Sequence, residues 1–205
     1  MPFSVEIGGD WAGIESDLRM AFADARDRFE GTAFATGNGS TAPTGIITAL
    51  TGVSGSITTS ATTDTFALAD VYSLSEGIGP RYRRNASWMA NLSILNKIRQ
   101  FATANNYHGF LTDLVGDTPR QMLGRPVYEC SDMDGTYGSG ENYVLLYGDF
   151  KNYVIVDRVG MSVELVPHLF HTDNNRPSGQ RGLLAWWRVG ADSVNDPAFQ
   201  MLNVT

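Results

Sequence analysis

The sequence has little cysteine and no long apolar run. Cys130 is the single cysteine among 205 residues, which excludes a disulfide within the chain and favours a reducing compartment. No apolar run is long enough to predict a membrane span, and residues 1–9 lack the basic start and apolar stretch of a signal peptide. These absences argue against a secreted, disulfide-stabilised protein and against an integral membrane protein.

Basic residues are also scarce. Two lysines and thirteen arginines leave a net charge of -7. A dedicated nucleic-acid-binding domain usually presents a strongly basic surface, so this balance argues against that class. A container that encloses nucleic acid needs no such surface and stays compatible with the composition.

The sequence does have ample material for a folded core. Hydrophobic residues make up 42% of the chain and aromatic residues 11%, which argues against intrinsic disorder. The 22 glycines indicate many turns, so we expect mixed helices and strands joined by long loops.

The strongest helix pattern lies near the start of the chain. It predicts a helix over residues 11–34, with Asp10 as its N-cap and Gly37 just beyond its end. Such a helix spans about 36 Å at 1.5 Å per residue, which is long for a small domain. Its predicted buried stripe, with apolar residues three or four apart, consists of Ile14, Leu18, Phe22, Ala25 and Phe29.

Weaker patterns predict the remaining elements. Residues 3–7 alternate as a short strand, and helices are predicted over residues 66–78 and 94–104, the latter capped by Ser93. Apolar, β-branched and aromatic content predicts one central sheet built from residues 86–90, 126–129, 143–147, 153–156 and 199–204. No regular βαβ series is present, so the predicted class is α+β.

A further long strand is predicted over residues 182–189, which include Trp186 and Trp187. Neighbouring residues of a strand point to opposite faces. One tryptophan is therefore expected to pack on the long helix near Phe22 or Phe29, and the other to be exposed or covered by a neighbouring subunit.

One acidic loop resembles a calcium-binding EF-hand. Asp132, Asp134 and Glu141 fit three of its ligand positions, but Cys130 stands where the first oxygen ligand belongs. The flanking segments also read as strands, where an EF-hand has helices. The sequence therefore predicts an ordinary surface loop.

Other patterns for metal or cofactor binding are incomplete. His168 and His171 have no cysteine partner and belong to no HExxH motif. The glycines after the long helix follow a helix, whereas a phosphate-binding loop follows a strand. We therefore predict no metal, no nucleotide and no other cofactor.

A remote alternative is a cysteine-dependent hydrolase in which Cys130 works with His108 or His168. Cys130 ends an apolar strand pattern, where cysteine usually behaves as a small hydrophobic residue. No residue is assigned a catalytic role, and the chain is predicted not to be an enzyme.

Arg81, Arg83 and Arg84 form a small basic cluster after Pro80. They are sparse for nucleic-acid contacts, and arginine is enriched at protein interfaces. The candidate interface residues are therefore Arg81, Arg83, Arg84, Trp186 and Trp187.

Several blocks, in order along the chain, resemble the tailed-phage major capsid family, whose fold is shared with encapsulin nanocompartments. A helix runs into a glycine-rich turn and then Pro-x-Gly-Ile at residues 43–46. The other blocks are YRRNASWMAN at 82–91, LGRPVYE at 123–129, LYGDFKNYVIVDR at 146–158, RVGA at 188–191 and DPAF at 196–199. Each block is weak alone, but the series covers nearly the whole chain.

The resemblance implies a domain division. Residues 1–45 and 158–190 would form a peripheral domain with a long spine helix and long strands. Residues 46–157 and 191–205 would form an axial domain with a central mixed sheet flanked by helices.

The resemblance also implies a function. It makes the chain a structural subunit of a phage or prophage icosahedral shell, with an encapsulin-like nanocompartment shell as the alternative. Its main partner would be itself, in pentamers and hexamers. Scaffold, portal or decoration proteins and packaged DNA, held without sequence-specific contacts, would be further partners, and no membrane would be involved. The location would be the virion, and the host cytoplasm during assembly.

The chain departs from the family at its start. Members usually carry an N-terminal arm and an extended loop before the spine helix, and here residues 1–9 alone precede it. The lysine that some members use for a crosslink in that loop has no counterpart. We therefore expect monomers, small rings or loose oligomers in dilute solution, and no complete shell from this chain alone.

Overall fold

The computed structural model describes residues 1–10, 13–104 and 121–205. The chain divides into two compact units. The first, called the helix–hairpin unit, comprises Met1–Gly31 and Ile155–Gly190, and the second, called the sheet unit, comprises Thr32–Val154 and Ala191–Thr205. Both helices and sheets are present, so the predicted α+β class is confirmed.

The helices and strands carry labels in chain order. They are β1 (Pro2–Ser4), α1 (Val5–Asp10), α2 (Ile14–Thr36), α3 (Ile46–Leu50), β2 (Ile57–Thr59), α4 (Leu68–Gly77), α5 (Pro80–Arg83), β3 (Ser87–Ala90), α6 (Leu92–Ala104), β4 (Gln121–Met122), β5 (Arg125–Glu129), β6 (Tyr143–Gly148), β7 (Tyr153–Val166), β8 (Gln180–Ser193) and β9 (Phe199–Asn203).

The helix–hairpin unit contains a three-stranded sheet in the order β1-β8-β7. β1 runs antiparallel to β8, with Pro2 opposite Gly182. Within this unit α2 packs on one face of the sheet, since Phe29 meets the Trp187 ring edge-on at 6.4 Å and Arg26 reaches Asp157 at 3.5 Å. The sheet thus has one face toward α2 and one face away from it.

The strand predicted over residues 3–7 is partly correct, since β1 ends at Ser4, and the long helix begins at Ile14, three residues later than predicted. The backbone N–H of Glu6 donates to the Ser4 hydroxyl (3.2 Å), a contact that favours a turn of helix after Ser4. Residues 5–10 therefore form α1, and Asp10 ends that helix and is not the N-cap of α2.

The predicted buried stripe of the long helix is only partly correct. Ile14, Leu18 and Phe22 are half-buried, but Ala25 is exposed and Phe29 is 60% exposed. Their expected places on the stripe are taken by two half-buried charged residues, Arg26 and Glu30, which form a 2.7 Å ion pair.

The sheet unit contains a six-stranded mixed sheet in the order β2-β9-β6-β3-β5-β4. β3 runs parallel to β5 and antiparallel to β6, and β6 runs antiparallel to β9. Four of the five predicted segments, those in β3, β5, β6 and β9, lie in this sheet as expected.

The fifth segment, residues 153–156, was assigned to the wrong sheet. It begins β7, which continues to Val166 and pairs with β8 in the three-stranded sheet. Val154, Ile155 and Val156 are 41–58% exposed and are not core residues. Their β-branched side chains favour a strand, but composition does not specify the neighbouring strand.

Helices cover both faces of the six-stranded sheet. Successive strand residues alternate between faces, so Leu145 joins one buried cluster and Leu146 the other. The first cluster includes Ile94, Leu95 and Ile98 of α6, and the second includes Ile46, Ile47 and Leu50 of α3. Two cores on one sheet make this unit the more extensively packed of the two.

The cap of α6 also differs from the prediction. The Asn91 side chain accepts the backbone N–H of Ser93 (3.0 Å), and the Asn91 carbonyl accepts from Ile94 and Leu95. Asn91 therefore caps this helix, and Ser93 lies inside it.

A tight loop follows α2. The Asn38 carboxamide oxygen accepts the backbone N–H groups of Ser40, Thr41 and Ala42 at 3.0–3.2 Å. Gly37 and Gly45 come together at the base of the loop, where the Gly45 N–H donates to the Gly37 carbonyl (2.9 Å). A β-carbon on Gly37 would collide with the carbonyl oxygens of Ala33 and Pro43.

Candidate assembly surfaces

The acidic loop before β6 uses its carboxylates to hold its own backbone. Asp134 accepts the backbone N–H of Tyr143 (2.7 Å), and Glu141 accepts the Tyr143 hydroxyl (3.1 Å). Asp132 accepts the Thr32 hydroxyl (2.9 Å). Each carboxylate thus has a protein partner. No group of three or more potential metal-ligating side chains occurs among the described residues.

Cys130 is in an environment that disfavours the thiolate. It is a free, half-buried cysteine at the end of β5, and burial raises the pKa of its thiol. The thiolate is the nucleophilic form, so this environment lowers its reactivity at neutral pH. Of its suggested partners, His108 lies outside the described residues, and His168 is an exposed residue of the β7–β8 loop.

The predicted arginine cluster divides into structural and exposed members. Arg83 is half-buried and donates to the Ile78 carbonyl (3.0 Å), just beyond the end of α4. Arg81 is exposed and stacks over the Tyr82 ring at 4.3 Å. Arg84 is also exposed. Arg81 and Arg84 are thus accessible to a partner, whereas Arg83 anchors the turn between α4 and α5.

The two tryptophans of β8 lie on opposite sheet faces, as predicted. Trp187 is half-buried against Phe29 of α2. Trp186 is 44% exposed. The prediction about their packing is confirmed, and it leaves Trp186 as the one available to a neighbouring molecule.

Trp186 belongs to a larger patch on the face of the three-stranded sheet that points away from α2. Alternation along β8 places Leu184 and Arg188 beside it, and Leu184 is 53% exposed. Along β7, Asp157 points to the α2 side, so Val156 and Arg158 point away. These five residues, which we call the outer sheet face, are all exposed.

A second apolar surface lies on the sheet unit. Met89 of β3 is in register with Tyr128 of β5, and with Phe150 they line an open groove of about 450 Å³ whose polar rim includes Lys151. Tyr128 is 58% exposed. This groove was not predicted from the sequence. The alternation of residues along β3 and β5 could have indicated this apolar surface, because Met89 and Tyr128 lie on the opposite strand faces from Trp88 and Val127.

No helix among the described residues combines the length and the apolar composition required to cross a bilayer.

Comparison with known proteins gives the family context. A family model described as "Phage capsid family" matches residues 1–204. No curated protein has a sequence that matches this chain.

Solved structures with a similar fold include capsids. The capsid of an empty GTA particle is 26% identical, with a TM-score of 0.84, and the match covers 100% of this chain and 71% of that one. A chain from Microbacterium phage Oxtober96 is 16% identical, with a TM-score of 0.69 and coverage of 98% and 69%. The SrpI encapsulin complex of Synechococcus elongatus PCC 7942 is 13% identical, with a TM-score of 0.68 and coverage of 100% and 71%.

Proposed function

Because the chain belongs to the phage capsid family, we propose that it is a structural subunit of an icosahedral phage or prophage shell that assembles from copies of itself and encloses DNA. The observation that carries the proposal is the family match over residues 1–204. The fold agrees, since the likeness to the capsid of the GTA particle covers the whole chain.

The two compact units suggest two structural roles within the shell. We propose that the sheet unit is the axial domain, because its sheet, packed on both faces, makes it the more extensively packed unit. The helix–hairpin unit would be the peripheral domain, with α2 as its spine and β7 and β8 as its long strands. Compared with the division inferred from the sequence, residues 32–45 move to the sheet unit and residues 155–157 to the helix–hairpin unit.

The charge of the chain fits a container better than a DNA-reading protein. With a net charge of -7, it would meet enclosed DNA without sequence-specific contacts. Self-association is the partner relationship that the neighbouring capsid structures support. Scaffold, portal and decoration proteins remain part of the proposal, as does assembly in the host cytoplasm before incorporation into the virion.

The encapsulin-like alternative has weaker support. The encapsulin likeness has a TM-score of 0.68 at 13% identity, which supports the fold and not the function. The identity to the GTA capsid is twice as high, so the phage-type shell is the preferred proposal.

The hydrolase alternative has no supporting geometry among the residues that the structure describes. The one candidate nucleophile, Cys130, has its pKa raised by burial. A structural role for the chain is what family membership supports.

Electron microscopy of the concentrated, purified chain tests the proposal. The expected result is rings with fivefold or sixfold symmetry, because a capsid subunit forms closed, repeated interfaces. A population with no ring or shell symmetry at any concentration would count against a shell subunit.

A further inference from the structure

The helix–hairpin unit carries two exposed surfaces of opposite charge. The outer sheet face combines Trp186, Leu184 and Val156 with two arginines, Arg158 and Arg188, for which no ion pair with another described residue is found. The second surface is the side of α2 that points away from the sheet.

The composition of this α2 surface follows from helix geometry. Arg26 and Phe29 mark the side of α2 that faces the sheet. At 100° per residue the opposite side carries Asp17, Met20, Asp24 and Asp27. Met20 is 64% exposed, and all three aspartates are exposed. Asp24 pairs with Arg28 at 3.0 Å, while Asp17 and Asp27 have no ion pair within the described part of the chain. We call this surface the acidic helix face.

The two faces are similar in length and complementary in chemistry. α2 extends about 35 Å along its axis, and a strand of fourteen residues, the length of β7 and β8, extends about 46 Å at 3.3 Å per residue. The acidic helix face presents a thioether between carboxylates, and the outer sheet face presents an indole together with two guanidinium groups. Thioether–aromatic contacts and arginine–carboxylate pairs are both favourable interactions across interfaces.

We propose that the outer sheet face of one copy docks on the acidic helix face of a second copy, with Met20 against Trp186 and the aspartates against Arg158 and Arg188. This inference rests on the proposed function and identifies one of its contacts. The two faces differ, so the contact is head to tail, and such contacts repeat around a ring when the rotation closes.

A second copy is a better occupant than DNA for the outer sheet face. DNA would be attracted by Arg158 and Arg188, but Leu184 and Val156 would gain little from a phosphate backbone. Glu164, which alternation also places on this side of β7 toward the loop, would repel it. The chain itself supplies the matching acidic surface.

Crosslinking between two differently tagged chains tests the contact directly. Both chains carry Cys130→Ser, one carries Met20→Cys, and the other carries Trp186→Cys, with a short bismaleimide as the crosslinker. The control pair replaces Trp186→Cys with Val194→Cys, because Val194 is 72% exposed and lies on neither face. The expected result is a crosslinked heterodimer from the test pair and none from the control pair.

Charge reversal then tests the pairing of the two faces. Arg158→Glu with Arg188→Glu in the Trp186→Cys chain should abolish the crosslink. Asp17→Arg with Asp27→Arg in the Met20→Cys chain should restore it. Thermal unfolding of each variant serves as the check that it is folded.

The possible outcomes distinguish a failure of the docking proposal from a failure of the proposed function. Rings or shells without the crosslink would overturn the docking proposal and leave the shell proposal standing. The crosslink without any ring or shell would support the docking and count against the shell. Loss of DNA retention on arginine reversal, with no crosslink in the unreversed pair, would assign the outer sheet face to DNA and overturn the docking proposal.

Discussion

Tyr153 shows how one residue ties distant parts of the sheet unit together. Its hydroxyl donates to the Thr44 carbonyl (2.7 Å), with the Phe34 carbonyl at 3.1 Å. It thereby joins the start of β7 to the end of α2 and to the loop after α2. Burial, and to a smaller extent the negative charge of Asp192, raises its pKa to about 12.

Tyr153→Phe should lower the free energy of unfolding by about 1 kcal/mol at neutral pH, the typical net contribution of one hydrogen bond. Chemical denaturation of the purified variant measures this. An unchanged midpoint and slope would mean that the hydroxyl contributes nothing to stability.

The raised pKa of Tyr153 also predicts that the protein loses stability at alkaline pH. An unfolded tyrosine loses its proton near pH 10, whereas folded Tyr153 keeps it to about pH 12. Between these values the folded state binds more protons, so the free energy of unfolding falls as pH rises. Denaturation at pH 9, 10 and 11 should show this fall, and Tyr153→Phe should reduce its slope. Part of the slope should remain, because burial also raises the pKa of Tyr143 and Tyr147.

Trp88 and Trp186 provide a matched pair for testing which surfaces are core. The Trp88 indole N–H donates to the Met122 carbonyl (2.9 Å) and its ring stacks on Tyr147 at 4.1 Å. Trp88→Phe leaves that carbonyl without its donor and leaves a cavity, and should cost roughly 1–3 kcal/mol. Trp186→Phe, on an exposed face, should change stability by less than about 0.5 kcal/mol. Similar losses in the two variants would contradict this assignment of core and surface.

At the scale of elements, the local sequence pattern predicted most of the strands. It failed where the structure of a segment depends on residues that are distant in the sequence. Asparagine and serine are both favourable N-cap residues, so the local sequence did not show whether Asn91 or Ser93 caps α6. Arg26 lies on the half-buried side of α2 because Glu30 and Asp157 pair with it, and Asp157 is 131 residues away. The hairpin β7–β8 is a similar case, since nothing in residues 153–156 reveals that the strand continues to Val166.

The sequence likewise predicted only some features of the candidate assembly surfaces. The prediction for Trp186 and Trp187 succeeded because alternation along a strand is a local rule. The anchoring role of Arg83 and the groove beside Met89 depend on tertiary packing, which the local patterns do not contain. The assignment of the accessible arginines and Trp186 to a subunit interface stays a prediction.

The end of α2 is the element boundary most sensitive to substitution. A β-carbon on Gly45 would lie 2.6 Å from both the Ala35 oxygen and the Thr36 nitrogen, which are backbone atoms. Gly45→Ala should therefore destabilise the protein by at least about 1–3 kcal/mol, the cost of overpacking. The control is Gly138→Ala, where a β-carbon meets nothing within 4 Å and the expected change is below about 0.5 kcal/mol. Thermal unfolding compares the two, and an equal effect would show that the loop adapts.

At the scale of the whole molecule, one physical picture connects the acidic composition, the well-packed sheet unit and the exposed apolar side chains. A subunit of a shell must fold on its own and still keep surfaces for its neighbours. The sheet unit buries two clusters on its own, while Trp186, Tyr128 and Phe170 remain 44–60% exposed. Single exposed apolar residues are ordinary on protein surfaces, but the grouping of Trp186 with Leu184 on one strand face is the kind of patch that marks an interaction site.

Sedimentation velocity of the purified chain over a concentration series tests self-assembly most directly. The chain has a mass of 22.3 kDa. We expect the monomer to dominate in dilute solution and the sedimentation boundaries to shift, as concentration rises, to species of at least five copies. High salt should weaken this association to the extent that exposed charges hold the interfaces. A single 22.3 kDa species at every accessible concentration would contradict the claim that this chain assembles with itself.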